Sequence, residues 1–249
     1  MRRLVMGDIH GAYKALKQCL QRSGFDYEND LLIQLGDVVD RYPQSYECVE
    51  ELLKIKHLLA LKGNHDDWFN EFLKTDFHPY FWNHGGEGTL VSYLDHAGKS
   101  GRLFPSGSGF KSALDSTDIP ASHKAFFNDQ RPYYIDEELR CFVHAGFNAG
   151  LPFHAQNTAD YYWDRSLWEN AVRLQENSKQ FPIRSNFKEI YIGNTPTTKL
   201  NTDQPLNAFH IYNLDTGCGH SGRLTIMDIE TKLFWQSDLT SDLYSGYLV

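Results

Sequence analysis

The chain of 249 residues sets 24 Lys+Arg against 32 Asp+Glu, a net charge of −8, with 41% apolar and 22% charged residues. These are the proportions of a soluble globular protein long enough to bury roughly 70–75% of its unfolded surface. The acidic balance excludes the basic footprint needed to coat duplex nucleic acid or an anionic membrane.

The first apolar run, Leu4-Val5-Met6, predicts a short buried strand and ends in Gly7-Asp8-Ile9-His10-Gly11. It is too short for the core of a signal peptide, and no stretch approaches the ~20 residues of a membrane span, so a cytoplasmic protein is expected. Leu16, Cys19 and Leu20 then recur at helical spacing. Residues 31–35 form the next apolar run and lead into Gly36-Asp37, and helical periodicity returns at Cys48, Val49, Leu52 and Leu53. Residues 58–61 predict a third strand, which runs into Gly63-Asn64-His65-Asp66. This strand–loop–helix rhythm predicts βαβ units and a parallel sheet. Ligands of such sheets sit at the carboxyl ends of the strands, where all three polar loops fall.

Residues 76–130 are less regular. The aromatic stretch Tyr80-Phe81-Trp82 reads as core packing, a helix is expected near residues 89–95, and residues 100–116, rich in Gly and Ser, read as a loop. Strand patterns resume at residues 139–143, 189–192, 210–213 and 224–227, with one helix near residues 166–175. No repeat, low-complexity tract or linker interrupts the chain, so one domain over residues 1–249 is expected. Cys19, Cys48, Cys141 and Cys218 lie far apart with no CxxC pair, which argues against a zinc knuckle or a disulfide framework and for buried, reduced thiols.

Asp8, His10, Asp37, Asn64 and His144 all fall at predicted strand ends. Carboxylate, imidazole and amide oxygen suit Mn²⁺, Fe or Zn²⁺. Five such groups exceed the needs of one ion, and Asp37, flanked by both sets, can bridge two. Singly, each is an ordinary residue: a histidine with a hydrogen bond, an aspartate capping a turn or helix. In combination they are not ordinary. Gly36-Asp37-x-Val39-Asp40-Arg41 alone arises by chance in on the order of one in 10⁴ chains of this length.

The blocks Gly7-Asp8-Ile9-His10-Gly11, Gly36-Asp37-Val38-Val39-Asp40-Arg41 and Gly63-Asn64-His65-Asp66 resemble the three signatures of the calcineurin-like metallophosphatases. The detailed match is to the phosphoprotein phosphatase branch, whose bacterial and phage members include lambda phosphatase. Trp82-Asn83-His84-Gly85-Gly86 resembles the branch's Asn-Gly-Gly element with His84 inserted, and Val143-His144-Ala145-Gly146 resembles its later metal-histidine block. Gly193-Asn194-Thr195-Pro196 with Leu214-Asp215-Thr216-Gly217 resembles the C-terminal Gly-His-Thr-Pro and Asp-Thr-Gly pair.

The resemblance implies an α/β fold, a β-sandwich of mixed sheets flanked by helices, holding two divalent metal ions, Mn²⁺ foremost and Fe or Zn²⁺ otherwise. It places Asp8, His10 and Asp37 at the first ion, and Asp37, Asn64, His144 and position 194 at the second. His65 corresponds to the general acid, Asp40 to the carboxylate that orients it, and Arg41 to a phosphate-binding arginine. Trp163-Asp164-Arg165 resembles the block supplying the second arginine, Arg165. Two such ions lower the pKa of a shared water and neutralise phosphoryl oxygens during in-line attack, arginines grip phosphate bidentately, and a carboxylate-paired histidine can protonate a departing alkoxide.

The sequence departs from the family at three places. Asn194 stands where the family has a metal-binding histidine, so a weaker second site and activity dependent on added metal are expected; His210 and His220 flank the region as possible substitutes. Tyr42 replaces a glycine after the arginine, and Asp66 stands where the branch often has Glu. The expected function is metal-dependent hydrolysis of a phosphomonoester, as a serine/threonine protein phosphatase acting on a phosphorylated protein or a small phosphoester. A diadenosine tetraphosphate hydrolase-like nucleotide pyrophosphohydrolase is the alternative. A catalytically impaired phospho-binding module, given Asn194, is a third.

Overall fold

Side chains alternate faces along a strand. In β1 (Arg3–Met6) this sends Leu4 and Met6 into one apolar cluster and Val5 into another. That alternation sets the layers of the molecule, whose computed structural model describes residues 1–107, 109–177 and 186–247. β1 pairs in parallel with β2 (Leu31–Gln34), and β2 in parallel with β3 (His57–Ala60), as the βαβ rhythm predicts. The connecting helices are α1 (Tyr13–Arg22) and α2 (Ser45–Leu52). Their buried Leu16, Cys19, Leu20, Cys48, Val49 and Leu52 cover the outer face that Leu4 and Met6 present.

The helix expected after the third polar loop, α3 (Asn64–Thr75), begins inside the third block itself, so its polar first turn carries Asn64, His65 and Asp66. α4 (Gly86–His96) begins three residues ahead of the predicted helix. A second departure lies in residues 100–116, where a loop was expected. β4 (Leu103–Ser106) and β5 (Gly109–Ser112) pair antiparallel there as a hairpin, joined through Gly107 in the left-handed region, with Ser108 outside the described residues. Both strands are half-buried or exposed, so neither needs the apolar alternation by which a strand is recognised.

The second sheet starts after α5 (Ala121–Asp129) with β6 (Tyr133–Ile135) and β7 (Arg140–Val143). α6 (Asp160–Trp163) and α7 (Ser166–Glu176) then lead to β8 (Glu189–Ile192), β9 (Leu206–Ala208) and β10 (Ile211–Asn213). β11 (Thr225–Asp228) and β12 (Phe234–Gln236) return to the first sheet, and α8 (Thr240–Leu243) follows. The strand orders are β12-β11-β1-β2-β3 and β6-β7-β8-β10-β9. Val5, Ile33, Leu35 and Leu61 of one sheet pack on Phe142, Tyr191 and Leu214 of the other. Cys141, Val143, Ile190 and Ile192 face outward onto Leu167, Trp168 and Ala171 of α7. The architecture is thus the sandwich of mixed sheets with outer helices that the resemblance implies.

The cysteines are all buried and unpaired. Trp82 is buried as expected, but Tyr80 is 78% exposed; the side chain of Phe81 lies outside what is described. Among the described residues no helix is long and apolar enough to cross a membrane.

One buried ion network ties the first two helices together. Glu51 of α2 accepts from Lys17 of α1 (2.7 Å), from Lys54 (2.7 Å) and from the Tyr27 hydroxyl (2.5 Å). Burial alone would raise its pKa, but Lys17, Lys54 and Tyr27 bring it down from 4.5 to about 2. A depressed carboxylate stabilises the fold above its unfolded pKa and loses that contribution as pH falls through the folded one. Because Lys17 and Lys54 are about half exposed to solvent, which screens the pairs, Glu51→Gln should destabilise the protein by about 1–2 kcal/mol at neutral pH. Urea unfolding should show this deficit closing between about pH 4.5 and pH 2; a deficit constant with pH would show that the charge is not its source.

Candidate metal centre and active site

Each strand that reaches the carboxyl edge of the sandwich hands on a polar residue. Asp8 follows β1, Asp37 follows β2, Asn64 follows β3, His144 follows β7, Asn194 follows β8 and Asp215 follows β10. All but His144, which is fully buried beside them, line one cavity of about 470 Å³.

The loops that carry these groups are bent. His10, Asp37, Asp40, Arg41 and Asn194 all have φ between +51° and +73°. Such left-handed residues are uncommon outside glycine, and Asn, Asp and His tolerate the conformation better than most. Hydrogen bonds hold the bends. Ile9 and His10 both donate their amide N–H to the Asp37 carbonyl (2.9 Å each), and Arg41 donates its own to Gly85 (2.8 Å). The Asp66 carboxylate accepts from the amides of Asp37 (2.9 Å), Val38 (2.9 Å) and Gly63 (3.1 Å), and from Gln130 Nε2 (2.8 Å). Asp66, noted in the sequence only as a departure, locks the second block to the third.

Two buried clusters result, Asp8–Asp37–His144 and His10–Asp37–His65, each with its ligand-type atoms within 4.8 Å of one another, and Asp37 belongs to both. His10 Nδ1 faces the Val39 carbonyl (3.1 Å) and His144 Nδ1 that of Leu35 (2.8 Å). A carbonyl only accepts, so both rings protonate at Nδ1 and turn Nε2 to the acids. Asn64 Oδ1 lies 3.2 Å from His144 Nε2.

The electrostatics call for a cation. Burial pushes the Asp8 carboxyl well up, and the neighbouring Asp215 pushes it further. Asp215 itself rises to about 6, chiefly through burial. Burial opposes ionisation of Asp37 too, yet His144 and His65 hold it far below the carboxylate range. His144 would be lowered by burial, but Asp37 and Asp8 lift it to about 9. Asp8 Oδ1 is buried with no hydrogen-bond partner among the described residues. Like charges this close are relieved by bound metal, and the donor set fits divalent ions. Room is kept for it: a Cβ at Gly63 would overlap the Asp37 carboxylate, and one at Gly193 would overlap that of Asp8.

His65 Nδ1 pairs with Asp40 Oδ2 at 2.7 Å. Asp40 is fully buried and its other oxygen accepts from Trp82 Nε1 (2.9 Å) and from the Thr89 hydroxyl (2.7 Å). Arg41 and Arg165 line the same cavity, each with a buried Nε that has no hydrogen-bond partner among the described residues. Asn194 donates its amide N–H to Asp8 Oδ2 (3.0 Å), while its Oδ1 accepts from Arg165 Nη2 (2.9 Å). Of the two flanking histidines, His220 lines the cavity and joins neither cluster; His210 is not among the lining residues.

Sequence reasoning did not assign Asp215, Trp68, Trp163 or Lys199, all of which line the cavity. Asp215 had a signal, the Asp-Thr-Gly block at a strand end. The others had none, since a wall residue is marked by its position and not by its type.

Comparison with known proteins places this geometry. Residues 1–237 match the calcineurin-like phosphoesterase family. Serine/threonine-protein phosphatase 1 of Salmonella typhimurium is 24% identical over 229 residues, covering 91% of each chain. The asymmetrical bis(5'-nucleosyl)-tetraphosphatase PrpE of Oceanobacillus iheyensis is 22% identical over 92% of this chain and 89% of its own. The crystal structure of a cold-active protein-tyrosine phosphatase from a psychrophilic Shewanella species superposes with a TM-score of 0.59 at 12% identity, over 95% of this chain and 80% of that one. The chain belongs to the calcineurin-like phosphoesterase family.

The space beside Asp8 gives a direct test of metal fit. Gly193→Ala should weaken Mn²⁺ binding about 10–100-fold, measured by equilibrium dialysis, with the circular dichroism spectrum unchanged. Unaltered metal affinity would remove Asp8 from the metal centre.

Proposed function

We propose that this phosphoesterase hydrolyses phosphoserine or phosphothreonine in proteins, with a pair of divalent cations as cofactor. The observation that carries the reading is the meeting, in one cavity, of two buried acid–histidine clusters with the unpartnered Nε donors of Arg41 and Arg165. Asp8, His10 and Asp37 would hold one cation, and Asp37, Asn64 and His144 the other. Such a pair, when bound, supplies positive charge to phosphoryl oxygens and makes water a nucleophile near neutral pH.

The chain's own residues do the rest. Arg41 and Arg165 present planar forks that bind phosphoryl oxygens and fix the phosphorus for in-line displacement. Asp40 accepts only, so the ring nitrogen it faces on His65 is the donor; as the imidazolium, stabilised by Asp40, His65 carries a second proton on Nε2 that it can hand to the departing alkoxide, returning to the neutral ring. Trp82 and Thr89 keep Asp40 in place and offset its burial.

A second reading, hydrolysis of a dinucleoside tetraphosphate, draws support from the cavity wall. The rings of Trp68 and Trp163 are 5.4 Å apart, and exposed Lys199 lines the same cavity. Flat aromatic faces suit a nucleobase and a lysine suits an additional phosphate. Turnover of a phosphoserine peptide faster than diadenosine tetraphosphate supports the first reading; the reverse order selects the second.

Chelator-stripped protein should regain turnover of p-nitrophenyl phosphate as Mn²⁺ is added. His65→Ala and Asp40→Asn should each lower kcat by about 10²–10⁴-fold, and the double variant should fall no further than the worse single one, because the pair acts as a unit. Phosphopeptide binding without turnover at saturating Mn²⁺ would replace hydrolysis by a phospho-binding role.

A further inference from the structure

We propose that Asn194 serves the phosphate and not the metal: its Nδ2–H donates to a phosphoryl oxygen while its Oδ1 holds Arg165 in position. This rests on the phosphoester reading of the same cavity and assigns a residue at which the chain departs from its family.

A side-chain amide offers one acceptor atom and one donor atom. A guanidinium only donates, so the atom of Asn194 lying 2.9 Å from Arg165 Nη2 is the oxygen. The NH₂ group therefore points away from Arg165, and an NH₂ group cannot ligate a cation. Oδ1 keeps a second lone pair, but using it would put a divalent ion and a guanidinium on one oxygen, two positive charges with no anion between them.

The donor side is the telling one. Asn194 is 5% exposed, and its Nδ2 has no hydrogen-bond partner among the described residues. A buried donor left without an acceptor forfeits its hydration with nothing in return, so it calls for a ligand. Arg41 Nε and Arg165 Nε are orphans of the same kind, and all three residues line one cavity. A tetrahedral oxyanion has the oxygens to satisfy three donors that no acceptor among the described residues reaches.

The backbone explains why this residue type serves. Position 194 has φ +62°, and its amide is tied to Asp8 Oδ2 at 3.0 Å. Asparagine is among the few non-glycine residues at ease there. It also combines an acceptor for Arg165 with a donor for phosphate.

The test uses Mn²⁺-loaded protein with inorganic phosphate as probe, read by calorimetry, beside Mn²⁺ stoichiometry and affinity from equilibrium dialysis. Asn194→Gly removes the side chain while tolerating the left-handed backbone. It should leave Mn²⁺ binding unchanged and weaken phosphate binding about 10–100-fold. Asn194→Asp keeps an acceptor for Arg165 but sets a carboxylate where the donor was, so phosphate binding should fall at least as far. That variant separates donation from the mere positioning of Arg165. Loss of a Mn²⁺ equivalent in Asn194→Gly would return the residue to the metal and overturn the proposal, whatever phosphate does. Wild-type phosphate affinity in either Asn194 variant, with weakened affinity in Arg41→Ala and Arg165→Ala, would overturn it alone. Wild-type affinity in both arginine variants would instead overturn the phosphoester reading of the cavity.

Discussion

The Asp37 carboxylate is almost wholly withdrawn from solvent at the floor of the cavity, and most of the site is arranged around that constraint. One oxygen accepts the amide of His65 at 2.9 Å; the other faces His10 Nε2 at 3.6 Å and His144 Nε2 at 3.4 Å. Both histidines commit their Nδ1 protons to carbonyls, so it is Nε2 that each turns to the anion. Such a nitrogen beside a carboxylate needs a positive charge between them, a proton or a bound cation. The same residue organises the backbone: its carbonyl receives the amides of the first block and its own amide is fixed by Asp66. One aspartate thus joins three loops that lie far apart in the chain.

This arrangement carries a conformational cost. The left-handed residues of the site store strain of about 1–3 kcal/mol each where the side chain is not suited to it, and Arg41 is the least suited of them. Its position is over-determined by the bond from its amide to Gly85 and by the packing of α4 beneath it. A Cβ at Gly85 or Gly88 would collide with Arg41 itself. Gly85 of the Asn-Gly-Gly element and Gly88 just beyond it are therefore tied to Arg41 by contact, and the same helix also supplies Thr89 to Asp40.

Legibility in the sequence followed the physics of each part. Strands β1, β2, β7 and β8 were visible because they are buried on both faces and read as apolar runs, and the residues after them were visible because acids and histidines at such ends are rare. The β4–β5 hairpin was invisible because it lies on the surface and buries too little to leave a pattern. The start of α3 was hidden because its opening turn is polar, so the third block read as a loop ahead of the helix. The role of Asn194 depends on a partner 29 residues away, Arg165, and no local spacing encodes that pairing. Trp82 was read as core packing, which it is, but its indole N–H also reaches Asp40, a second duty that composition does not reveal.

The charges across the cavity run in a sequence that bears on what can enter it. Asp8, Asp37 and Asp215 lie at the strand ends, while Arg41, Arg165 and Lys199 line the same cavity from loops and helix ends. An anionic ligand alone would be drawn to the arginines and repelled by the acids, and a cation alone the reverse. A phosphoryl group over divalent ions satisfies both at once, because the ions face the acids and the oxygens face the guanidiniums. In this layering Asn194 stands at the boundary, with its backbone N–H on an acid and its side-chain oxygen on an arginine. A charged imidazolium there would disturb the arginine side, and a carboxylate would disturb the acid side. A neutral amide with separate donor and acceptor atoms is compatible with both, which is why its placement is better understood through the phosphate than through the metal.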